Sequence, residues 1–381
     1  MTSLLEDPFS EAPKTSLENL YDRERESKAL IEAVKMRSRM VLVLGVRRVG
    51  KTSLIKAALN SLGIPYIFLD LRALPSYDDK ALYSMVAEEL NRALPLRRRL
   101  FEQLRRVRGI RVGAEGISID LGREKPSLIS ILRALNQWAM GEGFNLPIVF
   151  DEAQELRFFQ GGRRGLDFRR LLAYGYDNLE NMTFILSGSE VGVLYKLLGL
   201  EDPKSPLFGR YVERVVVERL DRDRSLDFLR AGFKAHNVKV EDDVLLQAVE
   251  QLDGIIGWLT YFGAEVVRRC RGGAWVDSSE TIHSIRSKAV ALCASELEGV
   301  ARRSLLYMGI LAELRGGLRT WSELKTSLEK RFKRTISNPQ LANLLNTLAQ
   351  LSLLEKDSRG YRALDPLVPE AAELLLRTHH R

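Results

Sequence analysis

Short apolar runs alternate with amphipathic stretches through the first 220 positions of the chain. Five runs read as strands: MVLVLG (40–45), PYIFLDL (65–71), LPIVFDE (146–152), MTFILSG (182–188) and ERVVVERL (213–220). Each is short and nearly continuous in apolar character, as expected of a strand covered on both faces. Helical periodicity fills the intervals, beginning with YDRERESKALIEAV from Tyr21. Parallel neighbours need a long crossover, so this alternation predicts an α/β fold with a mainly parallel sheet.

One stretch interrupts the rhythm. LPLRRRLFEQLRRVRGIRVGAEGISIDLG (94–122) reads as a basic helix and a glycine-turned hairpin, an insertion spanning 94–125. Past Leu220 the strands stop and residues 221–298 carry only helical patterns. From residue 299, three helical segments lead to SLLEKDSRGYRAL, two short strands around a turn at Ser358–Gly360. Three helices and a hairpin predict a winged helix-turn-helix. The expected division is an arm without clear periodicity (1–20), an α/β core (21–220), a helical unit (221–298) and a winged helix (299–381). Several units suit a chain of 381 residues, which is long for one hydrophobic core.

Charge adds a preference in partners. The net charge is +8 and the pI about 9.4, which favours phosphate polymers. From Ala301 to Arg381, fourteen basic residues face eight acidic ones. The two cysteines, Cys270 and Cys293, and the four histidines, His236, His283, His379 and His380, form neither a zinc spacing nor a disulfide framework. No apolar run reaches bilayer-spanning length, and the N-terminal residues lack a secretory pattern. The expectation is a cytoplasmic protein with no membrane partner.

The chemistry is concentrated after the first strand. Gly45-Val46-Arg47-Arg48-Val49-Gly50-Lys51-Thr52 fits G-x-x-x-x-G-K-[ST] without a mismatch, and Ser53 continues into the helix. Glycines let the backbone close around a phosphate. Loop N–H groups and the helix N-terminus point at the anion. Lys51 supplies a mobile positive charge, and the Thr52 hydroxyl can ligate Mg²⁺. A magnesium–triphosphate site needs a second acidic anchor, which LPIVFDEAQEL supplies. Asp151, at the strand's carboxyl end, would hold Mg²⁺ through water, and Glu152 would orient and deprotonate an attacking water. No Asn-Lys-x-Asp guanine-reading motif occurs. The Asp-Glu pair favours ATP hydrolysis over a P-loop kinase.

From about residue 16 to 370 the sequence resembles the archaeal ATPases of the AAA+/STAND class, P-loop proteins with a helical lid and a C-terminal winged helix. GVRRVGKTSL, IVFDEAQEL, FILSGSEVGVL and SPLFGRYVERVVVERL carry the resemblance, in the family's order. It implies ATP and ADP as ligands, sheet order 5-1-4-3-2, and the strand ending at Ser187 lying between the two motif strands. YDRERESKAL resembles the family's Phe-x-Gly-Arg-Glu-x-Glu-Leu segment, with Asp22 at the glycine position, which makes Arg23 and Glu24 candidates near the nucleotide. Ser187 and Ser189 fall where the family has a polar γ-phosphate sensor. Arg210 matches an arginine that acts at a γ-phosphate, often a neighbouring subunit's. In LDGIIGWLTYFG the family's Gly-Gly-x-Pro has Asp253 for its first glycine and Ile256 for its proline, while Gly254, Gly257 and Trp258 keep its outline.

Two uses of the nucleotide remain open. One is an ATPase acting on double-stranded DNA through the winged helix and the arginines of the insertion, Arg97, Arg98, Arg99, Arg105, Arg106, Arg108 and Arg111. Those arginines equally suit a solvated helix face. The expected recognition helix, NPQLANLLNTLAQL, has no Lys or Arg. It offers Gln340, Asn343 and Asn346, with charge beside it at Lys330, Arg331, Lys333 and Arg334 and in the wing at Lys356, Arg359 and Arg362. The other use is a signalling switch whose winged helix restrains the core or binds a partner protein, as a monomer or a homo-oligomer.

Overall fold

The computed structural model describes residues 7–93, 98–113, 115–120, 122, 125–160, 167–271 and 278–379. Arg97 and His380 lie outside the described residues. The strands are β1 (Met40–Leu44), β2 (Ile67–Asp70), β3 (Ile110–Gly113), β4 (Gly116–Ile119), β5 (Leu146–Asp151), β6 (Met182–Gly188), β7 (Glu213–Val216), β8 (Leu354–Lys356) and β9 (Tyr361–Ala363).

Five of them form one parallel sheet in the order β2-β5-β6-β1-β7. The inserted hairpin takes the labels β3 and β4, so the labels differ from the expected 5-1-4-3-2. The neighbour relations are those expected once the sheet strands alone are counted, with β6 between β1 and β5. Alternation along β1 sends Met40, Leu42 and Leu44 into the core on one face and Val41 and Val43 into the core on the other. Both layers are covered by helices, which is why the strands read as unbroken apolar runs.

Several strands are shorter than their apolar runs. β2 ends at Asp70, whose side chain accepts from Arg72 N–H and starts a 3₁₀ turn. β7 ends at Val216. The first long helix is Glu24–Lys35 rather than beginning at Tyr21, because Asp22 sits at φ 54°. Asp253 is at φ 47°. Both aspartates stand where the family has glycine, and both keep the left-handed backbone that a short polar side chain tolerates.

The insertion is packed rather than loose. Helix Arg98–Arg105 buries Leu100 and Leu104 against helix Leu128–Glu142. Asn91 exchanges two hydrogen bonds of 2.8 Å with the backbone of Ile117 in β4.

Beyond the sheet come helices Arg222–Ala235, Asp242–Leu252, Ile256–Arg271 and Ser278–Ala301. The winged helix follows as Leu305–Glu313, Trp321–Phe332, Asn338–Gln350 and the β8–β9 hairpin. Helix Ser278–Ala301 runs unbroken through residues 298–299, where the composition changes. One hydrophobic cluster spans both regions, from Leu226 through Ile285 and Leu311 to Leu376. A last helix, Val368–His379, was not anticipated. It buries Val368, Ala371, Ala372 and Leu376 against helices Leu305–Glu313 and Ser278–Ala301.

The N-terminal arm is docked as well. Phe9 is 2% exposed and packs edge-on against Phe228 and Phe233. Asp7 pairs with His236 at 2.6 Å. Further along, Lys14 N–H donates to Ser53 Oγ at 3.1 Å and Asn60 Nδ2 to the Thr15 carbonyl at 2.8 Å. The arm thus bridges the helix after β1 and the helices beyond the sheet.

Candidate functional site

The carboxyl ends of β1, β5 and β6 meet at one edge of the sheet, where ligands of open α/β sheets bind. Gly45 leaves β1 at φ 154°. A Cβ there would lie 2.4 Å from the Val217 carbonyl oxygen, so this position admits only glycine. Gly50 precedes helix Lys51–Ser61 in a left-handed conformation, and no side chain caps that helix. Its first N–H groups are therefore available to an anion.

Lys51 is 6% exposed. Its ammonium donates to the carbonyls of Gly45 and Val46, both at 2.9 Å. Burial lowers its pKa to about 8, against the opposing pull of Glu152 and Asp151. Thr52 Oγ1 donates to Asp151 Oδ2 at 2.8 Å, and the Ser187 hydroxyl donates to Asp151 Oδ1. Burial raises the Asp151 carboxyl, and these two hydrogen bonds offset only part of the rise. A hydroxyl and a carboxylate in contact, beside a turn built for phosphates, form the hard-oxygen donor set that Mg²⁺ takes.

Glu152 turns off the end of β5 at φ 53°. Its Oε2 accepts from Ser189 Oγ at 2.6 Å, Gln154 Nε2 at 2.6 Å and Ser189 N–H at 3.3 Å. Arg72 lies 3.7 Å from Oε1. Burial alone would raise this carboxyl. The charges of Lys51 and Arg72 and the Ser189 and Gln154 hydrogen bonds outweigh it and hold the pKa at about 2. The carboxylate is ionised, and its Oε2 is saturated with donors.

A cavity of about 540 Å³ opens over the turn. Val49 to Ser53 form its floor, Arg72 and Glu152 one side, arm residues Pro8 to Tyr21 another, and Ile256, Gly257 and Trp258 the roof. Its size suits a nucleotide. Arg23 lines it too but is held by the backbone, donating to the carbonyls of Val49 at 3.3 Å and Glu218 at 2.8 Å.

The two loop arginines turn to one carboxylate, and Arg48 also lines the cavity. Arg47 and Arg48 both bind the carboxylate of Glu296, and Arg47 also lies 3.6 Å from Glu190. Arg48 stacks over the Trp258 ring at 4.0 Å, and its carbonyl accepts from Gly257 N–H at 2.9 Å. Trp258 Nε1 in turn donates to Asp365 Oδ2, beyond the wing, at 3.0 Å. The lid thus meets the phosphate turn although the family's proline is Ile256 here.

Two candidates fall outside this constellation. Glu24 is exposed and lines a separate shallow groove beside Lys28, because the helix begun at that residue turns it away from the sheet edge. Arg210 binds Asp177 at 2.7 Å and does not line the cavity. Ser189 lies one residue past the end of β6 rather than within it. Sequence reasoning does not single out Arg72, Gln154, Glu296 or Asp365. Only Arg72 carries a usable signal, since it follows the carboxyl end of the strand beside β5.

Residues 20–262 match the model of an ATPase domain found predominantly in Archaea. Residues 302–364 match the C-terminal winged helix-turn-helix domain of MCM proteins. No curated protein matches the chain. A Walker-type ATPase of Pyrococcus abyssi is 34% identical, with a TM-score of 0.79 over 96% of this chain and 99% of that one. The ORC2 protein of Aeropyrum pernix, in ADPNP–ADP complexes, shares the fold at 15% identity, with a TM-score of 0.65 over 99% of both chains.

Proposed function

The chain belongs to the family of ATPase domains found predominantly in Archaea, and from that premise we propose a nucleotide-driven switch that acts on DNA through its winged helix. Its units are the core (21–220), the lid (221–298) and the winged helix (299–381), and it works in the cytoplasm. ATP hydrolysis needs three things from these residues. Lys51 exchanges the carbonyls of Gly45 and Val46 for the outer phosphates. Thr52 and Asp151 would hold Mg²⁺, with Ser187 fixing the Asp151 carboxylate; the ion would neutralise charge on the phosphate oxygens. Glu152 leaves Ser189 and Gln154 and takes the proton of the attacking water.

One observation carries the switch: Arg48, in the phosphate turn, stacks on Trp258, which is hydrogen-bonded to Asp365 beyond the wing. A nucleotide that rearranges the turn must move or break this contact, and the winged helix with it. The test is an inter-domain distance between labels on the core and the winged helix, compared in ATP-trapped and ADP states of wild type and Trp258→Leu. A nucleotide-dependent shift in the wild type, lost in the variant, supports the reading. A distance indifferent to nucleotide rejects it.

DNA contact rests on exposed Gln340, Asn343 and Asn346 and on the neighbouring exposed Lys330, Lys333 and Arg334. Two other positive charges of that face are neutralised internally: Arg331 by Glu313 and Glu373, both at 2.9 Å, and Arg362 by Glu355. A second reading, in which the winged helix only restrains the core, is favoured by one contact. Val191 N–H, three residues past the end of β6, donates to Ser352 Oγ at 3.0 Å, and the recognition helix packs there against Gly192. Salt-sensitive stimulation of the ATPase by duplex DNA selects the first reading. No binding at low salt selects the second.

A further inference from the structure

Arg99 and Arg111 of the insertion sit near acids, Glu142 at 3.6 Å and Asp120 at 3.7 Å. Arg106 and Arg108 line a cavity of about 420 Å³ between the insertion and the start of helix Leu128–Glu142. Lys125 and Arg133 line its other wall, with Ser127 and Ser130 between them. Four basic side chains meet there, one of them, Lys125, paired with Asp79, and among the described residues no carboxylate lines the cavity.

The cations are held from behind. Arg133 donates through Nε to the Tyr174 hydroxyl and lies over that ring at 5.2 Å, which orients the guanidinium. Lys125 lies over Tyr83 at 4.8 Å and pairs with Asp79. The hydroxyls of Ser127 and Ser130 lie 2.8 Å apart at the helix start. Positive charge and hydroxyls are groups that contact phosphate oxygens.

Among the described residues no aromatic ring lines the cavity. Single-stranded nucleic acid is normally held by rings on which its bases stack. A basic, ring-free concavity suits a backbone whose bases are already paired. We propose that this cavity binds the sugar-phosphate backbone of duplex DNA, as a second contact on the ATPase core itself. The proposal rests on the DNA reading above and adds to it where the core touches the duplex. It gives affinity and no sequence preference.

The test is fluorescence anisotropy of the full chain with labelled duplexes of unrelated sequence across a salt series. Three proteins are compared with wild type: Arg106→Glu, the pair Arg106→Ala with Arg133→Ala, and the winged-helix triple Lys330→Ala, Lys333→Ala and Arg334→Ala. ATP binding serves as the control for folding. Each lost phosphate contact should reduce the slope of log affinity against log salt by about 0.9, so by about 2 for the pair. The loss should be similar on every duplex, and Arg106→Glu should weaken binding in the same direction. An unchanged slope in the pair and in Arg106→Glu overturns the cavity proposal; the DNA reading survives if the winged-helix triple still loses affinity. Absence of duplex binding by wild type at low salt overturns both. Tighter binding of a single strand than of a duplex overturns the duplex assignment.

Discussion

The Ser189 hydroxyl donates to Glu152 Oε2 at 2.6 Å, on the same oxygen that Gln154 occupies from the other side. This oxygen has its lone pairs committed, and the charges of Lys51 and Arg72, aided by these hydrogen bonds, hold the carboxyl at a pKa of about 2. If Glu152 is the base, this arrangement would restrain hydrolysis until the carboxylate turns toward a water. Ser189→Ala removes the hydroxyl and its hydrogen bond and leaves the backbone N–H, so the carboxylate becomes freer and more basic. Basal ATPase turnover should rise several-fold, while Glu152→Gln should bind ATP normally and lose turnover by about 10²-fold or more. Steady-state phosphate release measures both. Brisk hydrolysis by Glu152→Gln would remove Glu152 from the mechanism.

A pH dependence follows from Lys51. Burial depresses its ammonium from the ordinary lysine value of 10.5 to about 8. A bound triphosphate restores the charged form, so ATP binding takes up a proton in alkaline solution. The sign is fixed: affinity is flat below pH 7 and falls above about 8, by up to about tenfold per pH unit. The same shift acts on folding. The unfolded chain holds a proton that the native site has shed between about 8 and 10.5, so this group's contribution to stability rises with pH in that window. Calorimetric titration in buffers of different ionisation enthalpy reads the proton uptake. An affinity constant from pH 7 to 9.5 contradicts the assignment, and Lys51→Ala should abolish binding at every pH.

These predictions also mark what could be read before the fold was known. The phosphate turn and the Asp151–Glu152 pair were legible because their chemistry is local: a strand, a turn and a helix start within a dozen residues. Four of the five strands were legible because they are buried on both faces; the edge strand β7 buries only Val215 of its four residues and was legible from its apolar run alone. The contacts that restrain the site were not. Arg47 and Glu296 are 249 residues apart, and Trp258 and Asp365 are 107 apart. Nothing in an arginine, a glutamate or a tryptophan declares a partner at that distance. The arm failed differently: Phe9 is a single apolar anchor, and one residue has no periodicity. The last helix did carry an apolar stripe, but it lay beyond a winged-helix pattern that already looked complete.

Arg210 carries a prediction about assembly. Within one chain it is tied to Asp177, beside exposed Phe208 and Tyr211, and away from the nucleotide cavity. If it serves a γ-phosphate, that phosphate belongs to a second copy. Arg210→Ala and Glu152→Gln should then each be inactive alone. Mixed, they should recover a measurable fraction of activity, since one copy supplies the base and the other the arginine. An arginine in this role contributes about 10³-fold or more to phosphoryl transfer, so recovery would stand well above background. No recovery at any mixing ratio or concentration confines Arg210 to its own chain's packing.

The arm gives the last prediction. Phe9 anchors it on Phe228 and Phe233, while Lys14 and Thr15 tie it to the helix that follows the phosphate turn. A nucleotide in the cavity has this arm as one wall and cannot leave past it while both ends hold. Phe9→Ala deletes a fully buried ring, a change that costs about 3–5 kcal/mol where the surroundings cannot collapse. Much of that cost falls on docking of the arm rather than on the sheet, because the arm can detach by itself. Two effects should therefore separate. The melting temperature should fall modestly, and ADP release, followed by displacement of a fluorescent analogue, should accelerate far more than stability alone accounts for. His236→Ala, which removes the Asp7 pair and a ring stacked on Phe9 but leaves Phe9 on Phe228 and Phe233, should accelerate release less. Release rates equal to wild type in Phe9→Ala would mean that the arm walls the cavity without controlling exit.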